Sequence, residues 1–205
     1  SRWLVPRLDD FRRGHPGIDV RLASSAELWR GDTGDFDLGI RSGLGKWPGL
    51  KAELLAREAL SPVCSPALAG GPPPLREPAD LRHARLLHDT PRDAWRHWCD
   101  LAGVTLDAAA GMVFNDASLA LQAAVDGQGV ALGRLLLAAD DLRAGRLVRP
   151  FALELPNDYS YWLVYRRPSL ERPQAAAFRT WLLSCFRQTR RRDDAAGFPI
   201  QGGPS

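Results

Sequence analysis

Lysine is almost missing from this chain of 205 residues: Lys46 and Lys51 are the only two. Nearly all the positive charge is therefore arginine, and a net charge of +3 interspersed with 24 acids is weak ground for nucleic-acid binding by the chain itself. Cysteine is scarce as well. Cys64, Cys99 and Cys185 are odd in number and widely spaced, which fits reduced thiols in the cytosol better than a disulfide framework. No run of 18 apolar residues occurs, and the first residues lack the apolar region of a signal peptide. The expectation from these absences is a soluble, cytoplasmic protein with no membrane partner.

Reactive motifs are missing too. There is no GxSxG around a serine, no HExxH and no paired CxxC. His15, His83, His88 and His97 have no ligand spacing among themselves, and His97 and Cys99, two apart on a helix, point to different faces. The glycine-rich loop from Ser42 to Gly49 is not a phosphate loop, because Lys46 is followed by Trp47 rather than serine or threonine. We therefore expect no catalytic residue, no metal and no cofactor.

What is present is an ordinary globular composition, 45% apolar and 25% charged, long enough for one domain or two small lobes. The organising stretch is Gly111 to Gly133, GMVFNDASLALQAAVDGQGVALG. It reads as a strand at Gly111–Phe114, a helix over Asp116–Val125 stopped by Gly127, and a strand at Val130–Leu132. Such a crossover joins parallel strands and implies an α/β fold. Its corner, Asn115-Asp116-Ala117-Ser118, combines a helix cap with free backbone N–H groups facing the crevice beyond the strand ends, where open α/β sheets hold ligands.

The remaining elements follow from period and punctuation. A helix over Trp3–Phe11 ends at Gly14–Gly17, and Ile18–Ala23 alternates as a strand. A short helix is placed around Ala26–Arg30, and strands at Phe36–Arg41, Leu50–Leu55, Ala59–Cys64 and Leu86–His88. Thr90-Pro91-Arg92-Asp93 reads as a helix start, with Trp95, Trp98, Cys99 and Ala102 on one stripe and Gly103 as the stop. Further along come a helix at Leu135–Leu142 and a strand at Leu147–Phe151. A turn at Pro156-Asn157-Asp158 leads into a strand at Tyr159–Tyr165, and a helix follows at Gln174–Phe186. Residues from Arg187 onward are polar, charged and Gly/Pro-bearing, and are expected to form a disordered tail.

These segments, taken in order, carry a resemblance. RWLVPRLDDF, HPGIDVRL, FDLGIRSGLGKWPGL, LSPVCSPAL, PADLRHARLLHD, WRHWCDLAGV, FNDASLALQAAVDGQGVALGR, LRAGRLVRPF and SYWLVY run in the order and spacing of the effector-binding domain of LysR-type transcriptional regulators. The chain is most similar to the group that contains the glycine-cleavage activators and the regulators of β-lactamase induction. The resemblance covers Arg2 to about Phe186.

It implies a two-lobed α/β fold like that of type 2 periplasmic binding proteins, with mixed, mostly parallel sheets. Lobe one would hold residues 1–63 plus 163–186, lobe two residues 64–162, and residues 187–205 the tail. Set against the resemblance, the winged helix-turn-helix and the first strand of lobe one would be missing from this chain. A small-molecule effector would bind between the lobes, in a homodimer or homotetramer, and DNA would be met only through the missing domain. The resemblance places Tyr161 at a ligand-contacting tyrosine and Asn115, Asp116 and Ser118 at ligand positions. Arg41-Ser42 and Cys64-Ser65 would line the cleft. Where the β-lactamase regulators have two serines this chain has Asp116 and Ala117, and Arg30 stands near their ligand-contacting aspartate; both departures set it apart from their muropeptide-type ligand. Two other readings share the fold: a free-standing solute-binding protein, which needs an export signal, and an enzyme, which needs a reactive constellation.

Overall fold

The computed structural model describes residues 2–24, 36–90 and 93–196, the last seven of them by backbone only. It divides into two compact units, one from Ser1–Glu58 with Asn157–Gly197 and one containing Ala59–Pro156. Both divisions come a few residues before the expected crossings near 63 and 163. The reason lies in β2, Lys51–Val63, which is one unbroken strand where two were expected. Arg57-Glu58 carries no turn chemistry, so nothing interrupts the ladder there. The unit boundary falls inside the strand, where its neighbours change from β6, Leu155–Tyr165, to β5, Val130–Arg134.

The unit containing Ala59–Pro156 is built on β3, Leu86–Asp89, with β4, Met112–Phe114, parallel on one side and β5 parallel on the other. The end of β2 closes the row, antiparallel to β5. From β3 the chain crosses through α3, Ala94–Ala102, to one neighbour, and from β4 it returns through α4, Ala117–Val125, past β3 to β5. Right-handed crossovers that run in opposite directions put their helices on opposite faces of the sheet. The core bears this out. Leu86, Val130 and Leu132 pack with Trp95, Trp98 and Cys99 of α3, whereas Leu87 and Ala131 pack with Leu121 and Ala124 of α4 and with Ala138 and Leu142 of α5, Leu135–Arg143. The two-residue period of the strands thus feeds two separate apolar layers. Trp95 and Trp98 meet edge to face at 5.8 Å, and the Trp95 indole donates to the Leu87 carbonyl at 3.0 Å.

In the unit containing residues 2–24, α1, Leu8–Gly14, follows a 3-10 turn at Val5–Arg7. Phe11 of α1 is fully buried against Phe178 and Trp181 of α6, Pro173–Ala196, and Trp3 stacks on Phe186 with ring centroids 3.8 Å apart. β1, Gly39–Gly43, pairs antiparallel with β6, which neighbours β2. Ile18–Ala23, expected as a strand, is irregular and joins no ladder among the described residues. Its alternation survives as half-buried Ile18 and Val20, but Leu22 is 47% exposed, so one face alone did not secure a strand partner.

Four further expectations are corrected. Pro156-Asn157-Asp158 lies within β6 rather than at a turn: Pro156 sits near the strand's start, where a lost N–H costs least, and Asn157 donates to buried Glu58 at 2.9 Å. Leu147–Phe151 makes only an isolated bridge, Val148 to Cys64. α3 begins at Ala94 with Asp93 at the cap position and no side-chain cap bond, later than the Thr90 start expected. α6 runs Pro173–Ala196, into the stretch expected to be a tail. Arg187 to Ala196 contains no glycine or proline and is rich in good helix formers, so the backbone continues from a helix already begun. The short helix expected around Ala26–Arg30, Arg30 itself and Pro91 lie outside the described residues.

Candidate functional site

Parallel strands β3, β4 and β5 end at one edge of their sheet, at Asp89, Phe114 and Arg134. Asp89 and Arg134 meet there: the Arg134 Nε donates to Asp89 Oδ2 at 3.0 Å, with both side chains about six-sevenths covered. Beside them β4 turns into α4. The Asp116 carboxylate accepts from the Ser118 N–H at 2.7 Å, a helix cap as the sequence predicts, and Asn115 and Asp116 are exposed while Ser118 is half-buried. The edge therefore offers a guanidinium, two carboxylates, an amide and a hydroxyl around a helix N-terminus, a setting able to orient a small polar molecule by hydrogen bonds and opposite charges. One glycine is needed to make it. Gly111, at the entry to β4, has φ of +131°, and a Cβ there would fall 2.0 Å from the Leu86 carbonyl oxygen. His88 lies buried just behind Asp89, its Nε2 2.9 Å from the Ala110 carbonyl, so that nitrogen must carry the proton.

Cys64 and Ser65 do not join this edge. They follow Val63, which pairs with Ala131 near the other end of β5, whereas Leu60 pairs with Arg134. Ser65 is buried and caps the short helix α2, Pro66–Ala69, accepting from the Leu68 N–H. It lies near Gly127, past the C-terminus of α4 and so about 13 Å from Asp116 along a nine-residue helix. Cys64 is fully buried, and burial pushes its thiol up to about 12. Within this unit, then, Cys64 fills the core and Ser65 caps a helix.

In the other unit, Ser42 and Tyr161 prove to be direct cross-strand partners in the β1–β6 ladder, and Arg41 pairs with Trp162. Ser42 is exposed and Tyr161 half-buried. Next to them, the Trp162 indole donates to the Gly43 carbonyl at 3.0 Å and meets Trp47 edge to face. Gly45, at φ of +83°, leaves room for the Trp162 ring, which a Cβ would meet at 2.5 Å. The glycine-rich loop is thus a seat for two tryptophans, not an anion cradle. Away from this ladder, Arg179 grips the Glu53 carboxylate with two bonds, 2.7 and 2.5 Å, and Tyr165 donates to the same carboxylate. Arg179 holds the Glu53 carboxyl below its usual range, while burial and then Glu53 hold the Tyr165 phenol above its own.

Sequence reasoning missed Asp89 and Arg134. The signal was there: each is a charged residue standing directly at the end of an apolar run, LLHD and VALGR. Only the strand order brings the two together.

The family description "LysR substrate binding domain" matches residues 1–187. The chain is 41% identical over 183 residues to the glycine cleavage system transcriptional activator of Escherichia coli K12, covering 89% of this chain and 60% of that protein. It is 37% identical over 183 residues to the HTH-type transcriptional activator AmpR of Pseudomonas aeruginosa, covering 88% and 60%. It therefore spans about three fifths of the length of these curated relatives. The solved effector domain of AmpR from Pseudomonas aeruginosa superposes with a TM-score of 0.73 at 35% identity, covering 93% of this chain and 92% of that one. The AmpR effector-binding domain from Citrobacter freundii gives 0.76 at 30% identity, covering 90% and 92%. With the match running through both units and into α6, the chain belongs to the LysR substrate-binding-domain family.

Proposed function

We propose that this chain is the effector-sensing part of a LysR-type DNA-binding transcription regulator. It acts in the cytoplasm as a homodimer or homotetramer and carries out no catalysis. A small molecule biases its conformational population, and a segment outside this chain makes the contact with DNA. The observation that carries the ligand reading is the Asp89–Arg134 pair at the carboxyl ends of the parallel strands, beside the capped start of α4. A ligand with an anionic group would compete for the Arg134 guanidinium, and Asp116 and Ser118 would take its polar remainder. Tyr161 and Ser42 are kept as further effector contacts, supported by their shared register.

The experiment is a thermal-melt screen of the chain against amino acids, glycine among them, and small organic acids. At least one compound is expected to raise the midpoint in a saturable way in the parent and to lose most of that effect in Arg134→Gln. A compound that stabilises the parent and Arg134→Gln equally would remove the site from this edge.

A further inference from the structure

The four arginines from Arg166 to Arg179, after β6, fall into two groups. Arg172 is paired with Asp37 at 2.8 Å and Arg179 with Glu53. Arg166 and Arg167 are exposed, and among the described residues no side-chain hydrogen bond or ion pair engages their guanidinium groups; the same holds for the ammonium of exposed Lys51 at the start of β2. These three cations line one notch of about 440 Å³, floored by Gly49, Leu50 and Pro168 and contained within a single unit. No acid lines it.

Like charges around a concave surface repel, and a low-dielectric wall concentrates their field. In the same unit Arg172 and Arg179 are each paired with an acid, Asp37 and Glu53. Lysine makes the contrast sharper: this chain has only two, and one of them stands here. The volume suits a small molecule, and paired arginines at one rim match the geometry of an oxyanion with several oxygens.

We infer that the Lys51–Arg166–Arg167 notch is a binding site for a multiply charged, phosphate-type oxyanion, separate from the Asp89–Arg134 edge. It takes either a small phosphorylated compound or a backbone phosphate of DNA held by the larger regulator; the chemistry recognised is the same.

Pyrophosphate is the probe. Calorimetric titration of the chain at low ionic strength should give saturable one-site binding that weakens as salt is raised to about 0.15 M, where screening reaches roughly 8 Å. The double variant Arg166→Gln/Arg167→Gln, and Lys51→Gln separately, should bind at least about tenfold and several-fold more weakly, respectively. Arg96→Gln, at an exposed arginine of the other unit, should leave the affinity unchanged. All of these are surface changes, and urea midpoints equal to the parent's would verify their folding. Absence of saturable binding overturns the site, as does equal affinity in the double variant or an equal loss in Arg96→Gln. A second arm assigns the source. If a short random-sequence duplex displaces pyrophosphate from the parent, the natural occupant is a DNA phosphate; if it does not, the occupant is a small phosphorylated compound.

Discussion

The two units reach the same end, a layered α/β body, by different means. The unit containing Ala59–Pro156 depends chiefly on two apolar layers: side chains leave its strands alternately to two faces, and helices close over each, with Trp95, Trp98 and Phe151 packed among the aliphatic residues of one. The unit formed around Asn157–Gly197 depends on rings and charge. Its helices are joined through Trp3, Phe11, Phe178, Trp181 and Phe186, and its strands are tied to α6 by the Glu53–Arg179–Tyr165 cluster. Apolar layers are insensitive to pH and salt, whereas a half-exposed carboxylate cluster answers to both. A protein that must hold one part fixed and adjust another gains from such a division.

The strongest way to break this contrast is to empty the apolar layer. Trp98→Ala removes a fully buried ring packed on Trp95 and Phe151, and should cost about 3–5 kcal/mol in urea unfolding. A loss under about 1 kcal/mol would mean that α3 is not held as described. Next comes the ion pair at the strand ends. Arg134→Gln leaves Asp89 largely covered with a weaker partner, and about 1–3 kcal/mol of stability should be lost in urea unfolding.

Glu53→Gln sharpens the contrast through pH. The Glu53 carboxyl is held low by Arg179, so its stabilisation is fully present above the ordinary glutamate range and is lost as pH falls through the lowered folded value. Parent and variant should differ by about 1 kcal/mol at pH 7, since the pair is partly exposed, and converge in acid. A gap that stays constant from pH 7 to pH 3 would remove the cluster's electrostatic role. The smallest change is Tyr161→Phe, expected to weaken effector binding by roughly 1 kcal/mol with little effect on folding. Equal effector affinity by calorimetry would return Tyr161 to a purely structural place in the β1–β6 ladder.

How far the sequence could be read tracks the same division. The crossover from Met112 to Arg134 was legible almost to the residue because each signal was local: Asp116 as cap, Gly127 at φ of +73° as stop, and a short apolar strand on either side. Ile18–Ala23 shows the limit, because a period of two gives a face but says nothing of what lies alongside it. β2 shows another, since a charged pair in mid-strand looks like a break until Glu58 is seen to be buried against Asn157. Around the candidate site the Asp116 cap was readable from its local signal, whereas the register that sets Ser42 opposite Tyr161 was not. Asp89 and Arg134 stand 45 positions apart, and no spacing rule joins them; it takes β3 lying beside β5. That Cys64 and Ser65 stand at the opposite end of β5 from Arg134 also follows only from the β2–β5 register, since position along the chain does not tell which end of a strand a residue occupies.

The continuity of β2 also has a kinetic side. Among the described residues one unit is a single piece of chain, within Ala59–Pro156, while the other is made of two pieces that flank it in sequence. The outer unit can bring β1 and the first part of β2 to β6 only by closing a loop of roughly a hundred residues, at an entropic cost that grows with the logarithm of loop length. If the inner unit forms first, its own ladder between β2 and β5 shortens that search, and the outer unit inherits strands whose far ends are already fixed. In folding terms the inner unit is then the template and the outer one the late partner. Destabilising substitutions in the apolar layers would slow the folding of the whole chain, whereas loss of the Glu53 cluster would show chiefly as faster unfolding.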